Sequence, residues 1–212
     1  DHRDALISRD NLTLLELPAG AKIGTSSPRR AARISHFRPD LELHPIRGNV
    51  DSRLAKVARG EFDAAVLAVA GLNRLGYAEK ISEYFTPDQL LPAPAQGALA
   101  VECRSDDVEL IQMLALLEDQ HTRVTTTAER AVLVGISATC ATAIGALATY
   151  SNGILHLVAE LSAADADEHE RSFASKSEVG LLDLSAAQTL GFSVAEQIMK
   201  TKLGLRFGST RG

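Results

Sequence analysis

The sequence predicts an α/β protein in which a doubly wound domain precedes a small α+β domain with an antiparallel sheet. Strand and helix patterns alternate over the first half of the chain, as in doubly wound sheets. Residues 64–70 form a continuous apolar run, which is typical of a parallel strand buried on both faces. In the second half, Asn152 and Gly153 separate two alternating segments, and this dipeptide favours the tight turn of a β-hairpin.

The composition is that of an ordinary globular chain. Of its 212 residues, 45% are hydrophobic and 23% are charged, which allows one large domain or two small ones. The net charge of -5 argues against a general nucleic-acid binder, and no apolar stretch approaches the ~20 residues of a membrane span. Cys103 and Cys140 lack the spacing of metal ligands, so we expect no metal site, no disulfide framework and a reducing compartment.

The first candidate site is the junction between a predicted strand at 22–24 and the helix that follows it. Ser27 is suited to cap this helix, and Arg29, Arg30 and Arg33 crowd its first two turns. Each cation at a helix N-terminus costs roughly 0.3–1 kcal/mol. A bound carboxylate or phosphate would remove this conflict, because free N–H groups and planar guanidinium groups together bind anions. The alternative is that the arginines extend into water.

Two further strand ends carry arginine. Arg47 and Arg53 flank Gly48, which would let the backbone approach a ligand closely, and Arg74 follows the apolar run. Doubly wound sheets bind ligands beyond the carboxyl ends of their strands, where all three arginine clusters are expected. The pattern therefore predicts that the clusters converge on one polyanion. A nucleotide-binding domain fits less well, since no Gly-rich phosphate loop followed by Lys is present.

Between the two domains, a Pro-rich stretch at 91–97 predicts an extended, hinge-like connection. An apolar segment follows at 98–103, and amphipathic helices are expected at 108–117 and about 125–134.

The second domain is predicted to consist of a hairpin, a third strand at 173–179 and a closing helix at 185–202. We expect 165–170 to be an acidic, solvated turn. In the second hairpin strand, alternation places one set of residues in the core and the other in water. The core set is Leu155, Leu157, Ala159 and Leu161, and the solvent set is His156, Val158 and Glu160. The closing helix is expected to bury Leu190, Val194, Ile198 and Leu203.

Several motifs together resemble those of the porphobilinogen deaminase family, also called hydroxymethylbilane synthase. Their order and spacing match along nearly the whole chain. The motifs are Ile23-Gly24-Thr25-Ser26-Ser27-Pro28-Arg29-Arg30, Arg47-Gly48-Asn49-Val50 with Arg53, residues 68–76, Gln96-Gly97-Ala98, Glu102-Cys103-Arg104 and Thr127-Ala128-Glu129-Arg130.

The resemblance implies a transferase of tetrapyrrole synthesis, the route to haem and chlorophyll. Members of the family condense four porphobilinogen molecules into the linear tetrapyrrole hydroxymethylbilane and release ammonia at each step. A dipyrromethane cofactor, bound through a thioether to one cysteine, primes the growing chain. Each pyrrole carries an acetate and a propionate, so the substrate is a polycarboxylate, in agreement with the predicted anion sites. A full-length monomer in the cytoplasm is implied, with a plastid location left open, and with no nucleic-acid or membrane partner.

Site residues follow by position from the resemblance. Cys140 would hold one dipyrromethane covalently. The other cofactor-binding residues would be Ser26, Ser27, Arg29, Arg30, Arg47 and Gly48, and the substrate-binding residues Arg53, Arg74, Thr25 and Gln96. For Gln96 a capping or hinge role is an equal alternative, and Cys103 is expected to be a small buried hydrophobe.

Two departures from the family pattern affect these expectations. Ala138 and Thr139 stand where the family has paired glycines before the cofactor cysteine, and their Cβ atoms could block a positive φ or crowd a pyrrole ring. The family's N-terminal segment, with its catalytic aspartate, has no counterpart here. We therefore assign no catalytic residue and expect this chain to bind the polycarboxylate weakly and to turn over negligibly.

The expected organisation is an anion-binding domain over 1–93, a hinge with the remnant of a first domain over 94–118, and a C-terminal domain over 119–212. The alternative function is a non-catalytic anion-binding module that resembles the two-lobed periplasmic binding proteins, with 92–97 as its hinge.

Overall fold

The computed structural model describes residues 1–163, 171–179 and 183–209, so the predicted acidic turn at 165–170 lies outside the described residues. Two units with separate hydrophobic cores follow one another along the chain. The strands of the first unit are β1 Asp4–Ser8, β2 Lys22–Gly24, β3 Glu42–His44, β4 Ala64–Ala68 and β5 Glu83–Tyr84. Its helices are α1 Pro28–Phe37, α2 Val50–Ala58 and α3 Val69–Arg74, followed by a 3-10 turn at Ala78–Lys80.

The first unit contains a mixed five-stranded sheet with the order β3-β2-β4-β1-β5. Strand β2 pairs in parallel with β3 and β4, as the doubly wound pattern predicts. Strand β1 is inserted beside β4 and runs antiparallel to both β4 and β5. The predicted α/β domain is therefore confirmed, and β1 adds an antiparallel strand to it that the sequence pattern did not place. Strand β4 is buried along most of its length, as expected.

Helix α1 begins where the sequence predicts. Ser27 has extended backbone angles, and its hydroxyl accepts a hydrogen bond from the Arg30 backbone N–H at 3.4 Å. Helix α2 is capped in the same way by Asn49, whose side chain accepts from the Ser52 N–H at 3.0 Å. Both helix N-termini therefore lie directly after a strand of the parallel part of the sheet.

Helix α4 Val108–Ala115 lies in the connecting region, and helix α5 Gln120–Gly135 contributes buried residues to the core of the second unit. Helix α4 has no buried residue, and large side chains such as Leu99, Met113 and Leu116 are exposed on and around it. Cys103 is also exposed, so the expectation that it is a buried hydrophobe was wrong.

Helix α5 begins five residues before its predicted start. Asp119 is its N-cap and accepts from the Thr122 N–H at 2.7 Å. This cap adds a turn that the hydrophobic periodicity of the sequence does not indicate.

The second unit packs an antiparallel sheet against helices. Its strands are β6 Ile144–Ser151, β7 Ile154–Ser162 and β8 Arg171–Val179, in the order β6-β7-β8, and its closing helices are α6 Leu184–Met199 and α7 Lys202–Ser209. The predicted core set of β7 and the four inward residues of the closing region are all buried. Glu160, expected in water, is only 5% exposed, because that end of β7 faces α1.

The segment before the second unit lies along the outer edge of β6. The Ala146 N–H donates to the Pro92 carbonyl at 3.0 Å, and the Ala148 N–H donates to the Glu129 carboxylate at 2.8 Å. Gly145 permits this approach, since a Cβ there would lie 2.8 Å from the Leu91 carbonyl oxygen. The two units are thus joined along a covered strand edge. The domain limits predicted near residues 93 and 118 stay a prediction.

Within the described part of the chain, every helix is too short or not apolar enough to cross a membrane.

Candidate anion-binding site

Two arginines of α1 share one buried carboxylate. Asp4 is fully buried at the start of β1, and Arg29 is 5% exposed. Nη1 of Arg29 donates to Asp4 Oδ2 at 2.7 Å, while Nε and Nη2 of Arg30 donate to Oδ1 at 3.0 and 2.7 Å. We call Arg29 and Arg30 the arginine pair. The first anion that the pair binds is therefore part of the protein itself.

The charge of Asp4 is maintained by these contacts. Burial alone would raise the pKa of Asp4, but the guanidinium groups of Arg30 and Arg29 outweigh it, and the pKa lies below its ordinary value. One carboxylate carries a single negative charge and faces two guanidinium groups. The arginine pair therefore keeps an excess of positive charge.

Backbone carbonyls provide the remaining acceptors of the arginine pair. Nη1 of Arg29 also donates to the Leu91 carbonyl at 2.6 Å, and Nη1 of Arg30 donates to the Val66 carbonyl at 3.0 Å. These bonds fix the pair to the middle of β4 and to the segment that precedes the second unit.

Arg53 brings a third positive charge close to the pair. Burial lowers the pKa of Arg53, and repulsion from the Arg30 guanidinium lowers it further. Nε of Arg53 donates to the Gly48 carbonyl at 2.9 Å. Gly48 has φ of 115°, and a Cβ there would lie 2.0 Å from Ser52 Oγ, so this turn requires glycine. The predicted convergence of the arginine clusters at the strand ends stays a prediction.

Arg47 and Arg74 lie at the surface of the same unit. Arg47 is exposed, and its carbonyl accepts from Lys56 Nζ at 3.1 Å. Arg74 is exposed at the end of α3. This short helix packs near the start of α2, because a Cβ at Gly71 would lie 3.6 Å from Val50 Cγ2. Within residues 1–163, 171–179 and 183–209, no carboxylate forms an ion pair with Arg47, Arg53 or Arg74.

The hydroxyl groups before α1 have local partners. Thr25 is buried, and its Oγ1 accepts from the Ser27 N–H at 3.2 Å. Ser26 is exposed and donates to the Ile46 carbonyl at 2.9 Å. These bonds shape the turn between β2 and α1, and Ser26 is the hydroxyl that solvent reaches.

Gln96 belongs to the same cluster. Its Nε2 donates to Asp4 Oδ1 at 3.0 Å and to the His2 carbonyl at 2.8 Å. The structure therefore places Gln96 beside the carboxylate that holds the arginine pair.

Cys140 lies on an exposed turn between α5 and β6 and carries a free thiol. The Thr139 N–H donates to Thr142 Oγ1 at 2.9 Å, and the Thr142 N–H donates to the Thr139 carbonyl at 2.9 Å. Ala138 and Thr139 keep negative φ angles, and the positive φ of this loop, 52°, falls on Ser137. The Cβ atoms that replace the family's paired glycines therefore cause no backbone strain at these two positions.

Asp4 is the residue of this cluster that sequence reasoning does not find. A charged residue at the start of a buried strand is unfavourable unless another charge pairs with it. The position of Asp4 in β1 is therefore the one local sign that it has an ionic partner. Its partners lie 25 and 26 residues away, so no spacing connects them. Glu129 stands in a motif, but the motif does not reveal which groups its carboxylate binds.

Two family models match this chain. Residues 1–112 match the model described as porphobilinogen deaminase, dipyromethane cofactor binding domain. Residues 123–200 match the model described as porphobilinogen deaminase, C-terminal domain.

Curated relatives agree with the family models. A porphobilinogen deaminase of Corynebacterium efficiens is 51% identical over 171 residues, which cover 79% of this chain and 57% of the relative. The protein of the same name from Corynebacterium glutamicum is 46% identical over 90% of this chain and 68% of its own length. The one from Mycobacterium tuberculosis is 45% identical over 97% of this chain and 67% of its own length. The chain thus spans little more than half of the first relative and about two thirds of the others. Both matched domains and these identities show that the chain belongs to the porphobilinogen deaminase family.

Proposed function

We propose that this chain binds the carboxylates of porphobilinogen and of the growing pyrrole chain in the condensation of four porphobilinogen molecules to hydroxymethylbilane. Family membership supports this reaction, in which each condensation releases ammonia. The named relatives are porphobilinogen deaminases, and they extend beyond the region that this chain matches.

One observation carries the proposal: the guanidinium groups at the strand ends outnumber the carboxylate beside them. Asp4 neutralises one charge of the arginine pair, and Arg53 adds a further charge near Arg30. Guanidinium groups bind carboxylates through paired, charge-assisted hydrogen bonds. A ligand with several carboxylates would therefore reduce the repulsion that the fold maintains between these cations.

The described residues also fit the dipyrromethane cofactor. The Cys140 thiol is exposed, as a thioether attachment point must be, and the two residues before it, Ala138 and Thr139, avoid a positive φ. Ser26, Ser27, Arg47, Gly48 and the arginine pair are the groups that we assign to its carboxylates. When bound, this group supplies the free pyrrole carbon to which the first substrate is added.

The contribution of this chain to the reaction is the positioning of rings. The residues that we assign to substrate binding are Arg53, Arg74, Thr25 and Gln96. Among them, Arg53 would directly bind the acetate or propionate of the substrate. Fixing both acid side chains of a pyrrole orients its reacting carbon toward its neighbour, which lowers the entropic cost of the condensation. We assign no catalytic acid or base to this chain.

Titration with porphobilinogen, followed by calorimetry or NMR, tests the proposal. Arg53→Gln removes a cation that has no described carboxylate partner and should weaken binding about 10-fold or more. Arg59→Gln is the matched control, because Arg59 caps the same helix but is paired with Glu61 at 2.7 Å. Equal affinities of both variants and the unmodified chain would contradict the proposed site.

Mass spectrometry tests the cofactor assignment. The peptide that contains Cys140 should gain the mass of two pyrrole units in protein isolated from cells that make tetrapyrroles. Cys103 is an internal control, because its thiol is exposed as well. An unmodified Cys140, or equal modification of both thiols, would favour an anion-binding module without the cofactor.

We also propose that the protein is a cytoplasmic monomer. Light scattering should give the mass of one chain at all concentrations tested, and a mass that rises with concentration would contradict this.

A further inference from the structure

We propose that Glu129 is a positioning residue, which acts through Gln96 on Asp4 and thereby orders the arginine pair. The inference rests on the proposed function only in its last step, the binding of a carboxylate ligand. All earlier steps concern contacts within the protein.

The first step is the contact of Glu129 with two backbone segments. Its side chain is buried, with 5% exposure for the residue. Oε2 accepts from the Ala95 N–H at 2.5 Å, and Oε1 accepts from the Ala148 N–H at 2.8 Å. Glu129 therefore joins helix α5, strand β6 and the segment between the units through one carboxylate.

The second step is the conformation of Ala95. Its φ is 65°, in the left-handed region that alanine rarely adopts. Such a conformation persists only where its surroundings hold it. The bond from its N–H to Glu129 supplies this restraint, and the Ala98 N–H adds a bond to the Ala95 carbonyl at 3.2 Å.

The third step leads from Ala95 to the next residue, Gln96. The Gln96 N–H donates to the Ala93 carbonyl at 2.9 Å, which completes a turn directed at the chain start. A Cβ at Gly97 would lie 2.4 Å from the Asp1 carbonyl oxygen, so the turn lies directly against that segment. The left-handed residue therefore determines where the Gln96 side chain begins.

The last step is the oxygen that Gln96 shares with the arginine pair. Asp4 Oδ1 accepts from Gln96 Nε2 at 3.0 Å and from Arg30 Nη2 at 2.7 Å. Loss of the amide donor frees the carboxylate to rotate, and rotation changes the bonds of both guanidinium groups. Glu129 and Arg30 are thus connected through a continuous series of hydrogen bonds and one constrained turn.

The side-chain Nε–H signals of ¹⁵N-labelled arginine test this connection directly. Arg30 donates its Nε–H to Asp4, so its NMR signal reports the order of the pair. Glu129→Ala should shift or broaden this signal. Leu190→Ala is the control, because it removes a buried apolar side chain of the same unit outside the connection, and it should leave the signal in place.

A second substitution separates positioning from simple support of the second unit. Glycine adopts the left-handed conformation without cost. Ala95→Gly in the Glu129→Ala background should therefore restore much of the Arg30 signal, which it could not do if Glu129 acted only on Ala148. If Glu129→Ala does not fold, Glu129→Gln, with one acceptor left, takes its place in the same pair of measurements.

An unchanged Arg30 signal in the Glu129 variant, or no recovery on Ala95→Gly, would overturn the inference. In the binding experiment, the Glu129 variant should bind porphobilinogen about 3-fold to 10-fold more weakly than the unmodified chain. If the unmodified chain binds no porphobilinogen, the proposed function fails, while the Arg30 signal still decides the role of Glu129.

Discussion

Arg33 and Glu160 face each other across the contact between the two units, with Arg33 Nε 3.6 Å from Glu160 Oε1. Both side chains are buried, but their environments differ. Glu160 also binds Arg171 Nη2 at 2.6 Å and the Ser162 hydroxyl at 3.0 Å. Arg33 donates to the carbonyls of Gln89 and Asp88, and its Nη1 is buried with no hydrogen-bond partner in the described part of the chain. Glu160 therefore has a second cation to balance its buried charge, whereas Glu160 is the one carboxylate that balances the charge of Arg33 among the described residues.

This asymmetry predicts unequal effects of two substitutions. Glu160→Gln should lower the free energy of unfolding by about 3–5 kcal/mol, because Arg33 then keeps its buried charge without a carboxylate. Arg33→Met should cost less, since Glu160 keeps Arg171 and the methionine fills apolar space. Urea unfolding of both variants measures the difference, and an equal or reversed order would contradict it.

The stability of the protein should depend on pH through Glu129. Burial raises the pKa of Glu129 from 4.5 to about 7, although its bonds to the Ala148 and Ala95 N–H groups act in the opposite direction. A raised folded-state pKa favours the protonated form, so this contribution is fully present below about pH 4.5 and is lost as the pH rises through about 7. The loss should amount to about 3 kcal/mol.

Urea unfolding at about pH 5 and about pH 8 measures this effect. The control is Glu129→Gln, which cannot titrate and should remove most of the difference between the two pH values. An unchanged pH dependence in this variant would assign it to other groups.

Asp4 should contribute stability with the opposite pH dependence. Although burial raises its pKa, the Arg30 and Arg29 guanidiniums lower it below 3.8, so the contribution is present above that value and is lost as the pH falls through the lowered pKa. Asp4→Asn removes the charge and should cost about 3–5 kcal/mol near neutral pH. Thermal unfolding near pH 7 would detect this as a large fall in Tm. A fall no larger than that of the exposed control Asp106→Asn would contradict it.

Gly145 should be intolerant of any side chain. Its added Cβ would lie 2.8 Å from the Leu91 carbonyl oxygen, which would push the covering segment away from β6. We expect Gly145→Ala to cost about 1–3 kcal/mol of stability. Gly71→Ala is the matched control, because its Cβ would make an ordinary contact of 3.6 Å within a helix, where alanine is favoured. Thermal unfolding compares the two, and similar losses would show that the contact at Gly145 is not responsible.

Features that depend on neighbouring residues were predictable from the sequence. The cap of α1 at Ser27, the hairpin turn at Asn152 and Gly153, and the buried face of β7 all follow from signals within a few residues. The parallel pairing of β2 with β3 also follows from the alternation of strands and helices, while the convergence of the arginine clusters at these strand ends stays a prediction.

Features that depend on distant segments were not predictable. The insertion of β1 beside β4 joins residues about 60 positions apart, and no local pattern fixes that pairing. Alternation divides β7 into two faces but does not reveal that α1 covers one end of the outer face, which is why Glu160 was placed in water. The pairing of Asp4 with Arg29 could not be predicted for the same reason, because the two residues are 25 positions apart and only the fold brings them into contact.

The covered edge of β6 also limits how separate copies of the chain meet. An uncovered outer strand can recruit a strand from another molecule and extend the sheet without limit, as in fibrils. Here the outward N–H groups of Ala146 and Ala148 are already bonded to Pro92 and Glu129 within the same chain. Growth of the sheet from this side would first require both Pro92 and Glu129 to leave β6, so the bond that ties the segment between the units to this strand also protects the protein against intermolecular strand addition.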